Sequence, residues 1–457
     1  MRITDLRGRR VAVWGFGREG RAAIHALRQR CTDQHLTLFC SAAEVDAARV
    51  FDPMLEVVAG EPDATTLGQF DIVVKSPGIS AYKPALLAAQ AQGTQVTSGT
   101  ALWFGENAFD QGHDARVIAV TGTKGKSTTS ALIAHLTRAL GVRTALVGNI
   151  GVPLLELLDQ RADLWVIELS SFQTGEAGPL ELGVITSLYE EHLDWHGSRE
   201  RYVADKLRLA DVSRQLLVNA LQPALLERTQ DHPHRLLFGR SEGWHVADGF
   251  IRRGTLEVLP IEQLAAPGLH NALNACAALA ALAAVGMDAL AAASALAHFR
   301  PLPHRLQPLG EHAGWHWVND SISTTPLATL AALESLHGRA VTVLVGGHDR
   351  GLDWTPFVDA MRDAPPHAIV CMGSNGARIE VALRAAEVHC PLVRVDDLAS
   401  AVIEAKAHTP PDGVILLSPG APSFDQFKDY AERGRRFADL AGFDGAVIAG
   451  IDGLGIG

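Results

Sequence analysis

Cysteine is scarce in this chain: five residues in 457, at positions 31, 40, 276, 371 and 390. They are scattered, odd in number and without C-x-x-C spacing, which favours reduced core thiols over a disulfide framework or a zinc site. Long apolar runs are missing too. None approaches the roughly 20 residues that cross a bilayer, and Met1-Arg2-Ile3-Thr4-Asp5 does not open a signal peptide. Positive charge is in deficit, with 40 Lys+Arg against 51 Asp+Glu and a formal net charge of −11. That balance argues against a broad nucleic-acid surface. Anions must then be held by a few clustered cations, helix starts and metal ions. A cytoplasmic protein of about three domains, with no nucleic acid or membrane partner, is the expectation.

The densest signal lies at Thr121-Gly122-Thr123-Lys124-Gly125-Lys126-Ser127-Thr128. An apolar run, Val117 to Val120, precedes it, and helical spacing from Thr129 to Leu140 follows. Strand, glycine loop and Lys-Ser at a helix start form a phosphate cradle: backbone N–H groups face the phosphates, the lysine neutralises them, and a hydroxyl reaches Mg²⁺. The general pattern G-x-x-x-x-G-K-[ST] is not fully met, since Val120 stands in place of its first glycine. An ordinary strand-to-helix turn is the bland alternative.

Three α/β segments frame this loop. The first, 1–111, starts with a strand at Arg10–Trp14 and continues into Gly15-Phe16-Gly17-Arg18-Glu19-Gly20, the geometry of a dinucleotide fold. No acidic residue ends the next strand, where Cys40-Ser41 follows Leu36–Phe39, so NAD is disfavoured. A second strand-to-turn signal is Val73-Val74-Lys75-Ser76-Pro77-Gly78. The segment reads as a Rossmann-like nucleotide or phosphate binder, or as glycine turns needed for helix–sheet packing. The second segment, 112–300, adds strands near 165–169, 183–188 and 215–219 and one or two alanine-rich helices over 271–297. Prolines in Arg300-Pro301-Leu302-Pro303-His304-Arg305 mark the boundary of the third, 301–457, with strands at 341–345, 368–372 and 414–417. Near-continuous apolar strands imply parallel sheets with ligands at their carboxyl ends. Residues 444–457 read as an extra turn or a mobile tail.

One acid and one histidine stand out. Glu168 ends an apolar strand, where a carboxylate is costly unless it meets a cation; His192 lies in Glu190-Glu191-His192-Leu193-Asp194 after the next strand. Each alone has an ordinary explanation as an edge acid or a surface histidine. On two strand ends downstream of a phosphate loop, together they point to Mg²⁺ ligation.

Taken in order, T-G-T-x-G-K-S-T, G-N-I-G (148–151), E-L-S-S-F-Q (168–173), E-H-L-D (191–194), Tyr202-Val203-Ala204-Asp205-Lys206, H-N-x-x-N-A (270–275), P-H-R (303–305), N-D-S (319–321) and L-S-P…S-F-D-Q-F (417–427) resemble the Mur ligases. Within them the chain is most similar to the glutamate-adding branch. The resemblance spans nearly the whole chain and implies three domains: a Rossmann-like domain for a UDP-linked substrate, a central P-loop ATPase-type domain, and a C-terminal Rossmann-like domain that binds glutamate and closes on ATP. It implies an ADP-forming ligase of peptidoglycan precursor synthesis, hence of cell-wall biogenesis, shape and division, acting as a monomer on UDP-N-acetylmuramoyl-L-alanine and glutamate.

Residue by residue, the resemblance gives Gly122, Thr123, Lys124, Gly125, Lys126, Ser127 and Thr128 to the ATP phosphates. It places Asn271 and Asn274 near the adenine and Arg305 and Asp320 as nucleotide contacts from the third domain. Ser127, Glu168, His192 and Lys206 would hold two Mg²⁺ ions, Lys206 as a carbamate; Lys126, Glu168, His192 and Lys206 would be catalytic. Lys206 has a plain alternative as a surface salt bridge on a helix. Gly15, Gly17, Ser76, Pro77, Gly78, Asn149 and His192 would meet the UDP-muramoyl substrate.

The match breaks at the incoming amino acid. In the usual D-glutamate enzymes N-D-S is followed by lysine, and here Ile322 follows; Arg350 stands where another lysine is usual, Tyr430 where phenylalanine is common, and Ala421-Pro422 replaces a Cys-Ala pair before Ser423. Losing one cation and turning another into a planar guanidinium redraws the charge map of a pocket formed by Thr324, Arg350, Ser423 and Tyr430. Enantiomers of glutamate need different maps, so the expectation is L-glutamate over D-glutamate. The alternatives are the D-glutamate enzyme, a folylpolyglutamate-type ligase, a dehydrogenase using the first segment, and a non-catalytic nucleotide-binding module.

Overall fold

The computed structural model describes residues 1–107, 116–189, 193–265, 268–451 and 453–457. They divide into two compact units, the first made of 1–263, 270–297 and 453–457, the second of 264–269 and 298–452.

In the first unit, five parallel strands lie in the order Glu56–Ala59, Leu36–Cys40, Val11–Trp14, Ile72–Lys75, Gln95–Thr97. Strand order reverses between Val11–Trp14 and Ile72–Lys75, and ligands of open α/β sheets collect beyond the carboxyl ends at such a point. Both strands are buried along their full length, hence the unbroken apolar runs. A seven-stranded sheet follows in the order Arg235–Phe238, Ser213–Asn219, Leu180–Ile185, Arg116–Thr121, Leu164–Glu168, Thr144–Gly148, Gly455–Ile456. Its central strand, Arg116–Thr121, pairs with Leu180–Ile185 on one side and Leu164–Glu168 on the other, which places the phosphate loop and Glu168 at one edge. A continuous apolar core joins the two sheets, with Trp103 packed on Trp165 at a centroid distance of 4.9 Å. The alanine-rich stretch forms the helix Leu269–Ala284, and its alanines let it bury closely. Three antiparallel strands, Trp244–Ala247, Phe250–Arg253 and Leu256–Pro260, form a separate small sheet.

The glycine-rich terminus is neither a loose tail nor a simple turn. Gly455–Ile456 adds an antiparallel edge strand to Thr144–Gly148, with Gly455 opposite Leu146 and Ile456 opposite Ala145. Arg138 fastens it: Nη1 donates to the Gly453 carbonyl at 2.7 Å, and Nη2 to the carbonyls of Gly455 (3.0 Å) and Thr144 (2.7 Å). Leu454 rests on Gly151, in the loop that carries Asn149. Truncation after residue 451 is expected to lower the melting temperature by roughly 2 °C, the shift of about 1 kcal/mol in a unit this large. Calorimetry on the truncated and full chains checks it; an unchanged midpoint would mean that the strand contributes nothing.

The second unit is one six-stranded sheet, ordered Gln307–His312, Trp315–Asn319, Val414–Leu417, Val341–Val345, Ala368–Cys371, Leu392–Arg394, parallel except for its first strand. Helix Tyr430–Ala441 covers one face; Asp429 caps its start by accepting from Glu432 N (2.8 Å), and Gly442, at φ +96°, ends it. Cys31, Cys40, Cys276 and Cys371 are buried, and burial pushes the Cys276 and Cys371 thiols up to about 12, away from reactivity. Among the described residues no helix is long and apolar enough to cross a membrane.

Candidate active site

The phosphate loop has the conformation its glycines permit. Gly122 sits at φ +152°, where a Cβ would lie 2.0 Å from Thr186 Oγ1; Gly125, at φ +85°, caps helix Lys126–Ala139, and a Cβ there would lie 2.5 Å from Asn274 Oδ1. The neighbouring strand end braces the loop. Thr123 N donates to Ser187 O (3.0 Å), Lys124 N to Ser187 Oγ (2.8 Å), and Thr186 Oγ1 to Lys124 O (2.6 Å). This leaves Lys126, Ser127 and Thr128 in the first turn, where helix N–H groups favour an anion. Asn274 Nδ2 is 3.5 Å from Asn271 Oδ1, so the two asparagines meet beside the loop.

Glu168 ends its strand fully buried. Asn149 Nδ2 donates to Oε1 at 2.6 Å and Asn149 N to the backbone carbonyl at 2.9 Å, an approach that requires Gly148 at φ +95°. Oε2 has no hydrogen-bond partner among the described residues. A buried carboxylate oxygen left open is costly unless something cationic meets it. Its hard oxygen chemistry, with the Ser127 hydroxyl of the adjacent loop, suits Mg²⁺. Among the described residues there is no group of three or more His, Cys, Asp and Glu to hold a metal. His192 lies outside the described residues.

Lys206 is on helix Arg199–Asp211, capped by Ser198, whose Oγ accepts from Arg201 N. It is almost fully buried, with Nζ 5.0 Å from the Tyr202 ring centroid, and so is not a surface residue. The Tyr202 hydroxyl meets Thr123 Oγ1 at 2.7 Å and ties this helix to the phosphate loop.

Gly15 and Ser76 come together at the strand ends of the first sheet. Ser76 N donates to Trp14 O (2.9 Å), and a Cβ on Gly15, at φ +102°, would strike Ser76 Oγ. The three glycines of the first loop do different jobs. Gly20 serves packing, since a Cβ there would sit 1.9 Å from Gly15 O, whereas Gly17 and Gly78 face open space that a ligand can enter. Gly17 also starts helix Arg18–Arg30. Burial and the nearby Glu176 push the Glu19 carboxyl up to about 7, which lessens negative charge at that helix start. Pro77 O accepts from Trp195 Nε1 (3.1 Å), and Lys75 pairs with Glu176 at 2.9 Å.

The second unit carries Arg305, Asp320, Thr324, Arg350, Ser423 and Tyr430. Asp320 is buried, and its oxygens accept from Ser323 Oγ, Ser418 Oγ (2.7 Å) and Leu306 N (3.0 Å); burial raises its pKa against those bonds. It thereby fixes the turn next to Arg305. Burial holds the His304 imidazole down to about 4, neutral at working pH. Arg350 is exposed and lies over the Phe424 ring at 5.5 Å, while Asp349 pairs with Arg378 at 2.7 Å. Ser423 is buried, and its hydroxyl has no partner among the described residues. Tyr430 is half-exposed, and its carbonyl accepts from Ser321 Oγ (2.7 Å). One residue beside this group was missed by sequence reasoning. Arg433 is buried, bonds Ser321 O (2.8 Å) and Ala421 O (3.0 Å), and keeps Nη1 without a partner among the described residues; burial brings it down to about 10. Its only signal in the sequence is a position in the first turn of a helix after an Asp cap.

Comparisons with known proteins agree along the chain. A Mur ligase MurD-like N-terminal domain matches residues 9–98, a Mur ligase middle domain 120–282, and a Mur ligase glutamate ligase domain 304–420. A UDP-N-acetylmuramoyl-L-alanine–L-glutamate ligase from Xanthomonas euvesicatoria pv. vesicatoria is 51% identical, covering 100% of both chains. The protein of that name from Xylella fastidiosa strain 9a5c is 49% identical, again over 100% of both. Among solved structures, UDP-N-acetylmuramate–alanine ligase from Thermotoga maritima shares the fold, with a TM-score of 0.60 at 19% identity over 94% of this chain and 98% of that one. With three consecutive domain matches and full-length relatives at half identity, the chain belongs to the Mur ligase family.

Proposed function

We propose that this chain is an ATP-dependent amide ligase that joins L-glutamate to UDP-N-acetylmuramoyl-L-alanine in the cytoplasm, forming a peptidoglycan precursor. The observation that carries the chemistry is the buried Glu168 carboxylate, open at Oε2, beside a glycine loop that ends in Lys126-Ser127. The alanyl carboxylate attacks the γ-phosphate of ATP, releasing ADP and leaving an acyl phosphate. The neutral amine of glutamate then attacks the acyl carbon, and the tetrahedral intermediate expels phosphate. Both first reactants are anions, so positioning and charge neutralisation supply most of the rate. Lys126 and the N–H groups of the helix start take the ATP phosphates, with Asn271 and Asn274 at the adenine; Arg305 and Asp320 are assigned as further nucleotide contacts. Ser127, Glu168, His192 and Lys206 (the last as a carbamate) would hold Mg²⁺, which would supply positive charge between the two anions. Gly15, Gly17, Ser76, Pro77, Gly78 and Asn149 bind the UDP-linked substrate.

Two observations support the L enantiomer. Relatives at 49–51% identity over full length bear the name L-glutamate ligase. Among the residues assigned here to glutamate, Arg350 sets its guanidinium over Phe424 and no cation follows Asn319-Asp320-Ser321, while the buried Nη1 of Arg433 has no partner among the described residues. The test is phosphate release from ATP with each glutamate enantiomer in turn. Release that needs both the UDP-muramoyl acceptor and glutamate is expected, with L-glutamate favoured by about 100-fold, the discrimination of roughly 3 kcal/mol that repositioned charge contacts supply. Preference for D-glutamate overturns the stereochemistry; release independent of the acceptor overturns the reaction.

A further inference from the structure

A hydrogen-bonded chain of four side chains, three of them buried, runs through the first unit apart from any substrate contact assigned above. The Tyr82 hydroxyl donates to the Asp205 carboxylate, 2.7 and 2.8 Å from its two oxygens. His196 Nδ1 lies 2.7 Å from Asp205 Oδ2, and its Nε2 lies 2.9 Å from Ser171 Oγ. A carboxylate only accepts, so Nδ1 carries a proton; in the neutral ring Nε2 then accepts from the serine. Ser171, His196 and Asp205 have the spacing of a nucleophilic triad. Ser171 and His196 are 5% and 0% exposed, however, so no acyl substrate reaches them. What the chain connects is more telling. Tyr82 follows the loop of Ser76, Pro77 and Gly78; Ser171 follows Glu168; Asp205 precedes Lys206 on its helix.

Further bonds stiffen each link. Ser80 Oγ donates to Trp195 O (2.7 Å), Trp195 Nε1 to Pro77 O (3.1 Å), and Thr174 Oγ1 to Asp205 O (2.6 Å). Phe172 stacks on Trp195 at 4.5 Å. The ring of Tyr82 packs edge-on against Trp195 and under the Arg201 guanidinium at 5.0 Å. Asp205 is buried, so removing one of its donors leaves a charged acceptor short of partners, and its helical turn must shift to regain them. Lys206 stands on that turn.

We propose that Tyr82 and His196 are positioning residues that make the nucleotide-sugar loop and the Lys206 helix one hydrogen-bonded body, so that seating the UDP-linked substrate sets Lys206 for phosphoryl transfer. The inference rests on the ligase reading above and adds to it a coupling between loop and lysine.

The experiment uses the full chain and three variants. Tyr82→Phe keeps the ring and its packing and deletes one donor. His196→Asn keeps an amide donor near the Nδ1 position, and His196→Phe removes both ring nitrogens. Tyr82→Phe is expected to lower kcat about tenfold while the KM for UDP-N-acetylmuramoyl-L-alanine moves less than threefold, the pattern of lost transition-state alignment. His196→Asn should stay much closer to the parent than His196→Phe. In hydrogen–deuterium exchange, adding the UDP substrate should protect both 76–83 and 199–211 in the parent chain and only 76–83 in Tyr82→Phe. If the parent turns over and Tyr82→Phe matches it in kcat and in protection of 199–211, the coupling is wrong and the ligase reading stands. A rise in KM alone also overturns the coupling. A parent chain that neither turns over nor binds the UDP substrate sinks the ligase reading itself.

Discussion

Glu168→Gln is expected to abolish ligase turnover while leaving the protein as stable as before or more so. The glutamine keeps the acceptor that Asn149 Nδ2 needs at 2.6 Å, and its shape fits the same strand end. What changes is Oε2, the atom with no hydrogen-bond partner among the described residues: an acceptor with negative charge becomes an amide donor with none. If that oxygen is kept for a cation shared with the ATP phosphates, kcat/KM should fall by about 10³-fold or more, roughly 4 kcal/mol of transition-state stabilisation. The fold loses nothing, because an unpaired buried carboxylate is a liability to stability. Opposite signs in the two measurements identify a residue retained for chemistry rather than for packing. Phosphate-release kinetics across a Mg²⁺ series, with calorimetry on the same samples, check both. A variant of ordinary activity would remove Glu168 from the site, and one that melts many degrees lower would make it a structural group.

Much of this arrangement could be read from local pattern. Val11–Trp14, Ile72–Lys75 and Leu164–Glu168 are continuous apolar runs ended by glycine or polar residues, and buried parallel strands have that form. Gly122, Gly125 and Lys126-Ser127 were recognisable because a phosphate cradle needs its residues at fixed short spacing. The small antiparallel sheet of 244–260 passed unnoticed although Asp248-Gly249, both at positive φ, joins its first two strands in the manner of a tight hairpin. Its strands are only four or five residues long, with little regular alternation. The terminal strand was missed for a different reason. Gly455–Ile456 has almost no side-chain content, and its stability comes from Arg138, 315 residues away in sequence from Gly453. Long-range pairing of this kind leaves no local mark. The same holds for Tyr82 and Asp205, 123 positions apart, and for Arg433 with Ser321, 112 apart. Glu168 was visible as an anomaly, an acid in an apolar strand, yet its two oxygens differ only in three dimensions. Lys206 shows the limit of composition: a lysine on a helix is nearly always solvated, and nothing in the spacing indicates that this one is buried.

Gly122→Ala should disable ATP binding with little effect on the UDP-linked substrate. At φ +152° the position lies in backbone territory that an L side chain rarely enters, and holding it there costs about 1–3 kcal/mol. The methyl meets no flexible chain end that could swing aside. It would sit 2.0 Å from Thr186 Oγ1 and 3.1 Å from the backbone nitrogen of Ser187. Those residues brace the loop through Lys124, by 2.6 Å from Thr186 Oγ1 and 2.8 Å to Ser187 Oγ, so displacing them unfastens the turn that presents Lys126 and Ser127. Strain and lost bracing together correspond to roughly 3 kcal/mol, or about a hundredfold rise in the Kd for ATP. The Gly15–Ser76 loops belong to another sheet and keep their geometry, so affinity for UDP-N-acetylmuramoyl-L-alanine should change less than threefold. Titration calorimetry with each ligand separates the two sites. Gly78→Ala is the matched control, since its Cβ meets nothing within 4 Å and φ there is unexceptional; ATP affinity should be untouched. Equal ATP binding by Gly122→Ala and the parent chain would show that the loop is an ordinary turn and not a phosphate cradle.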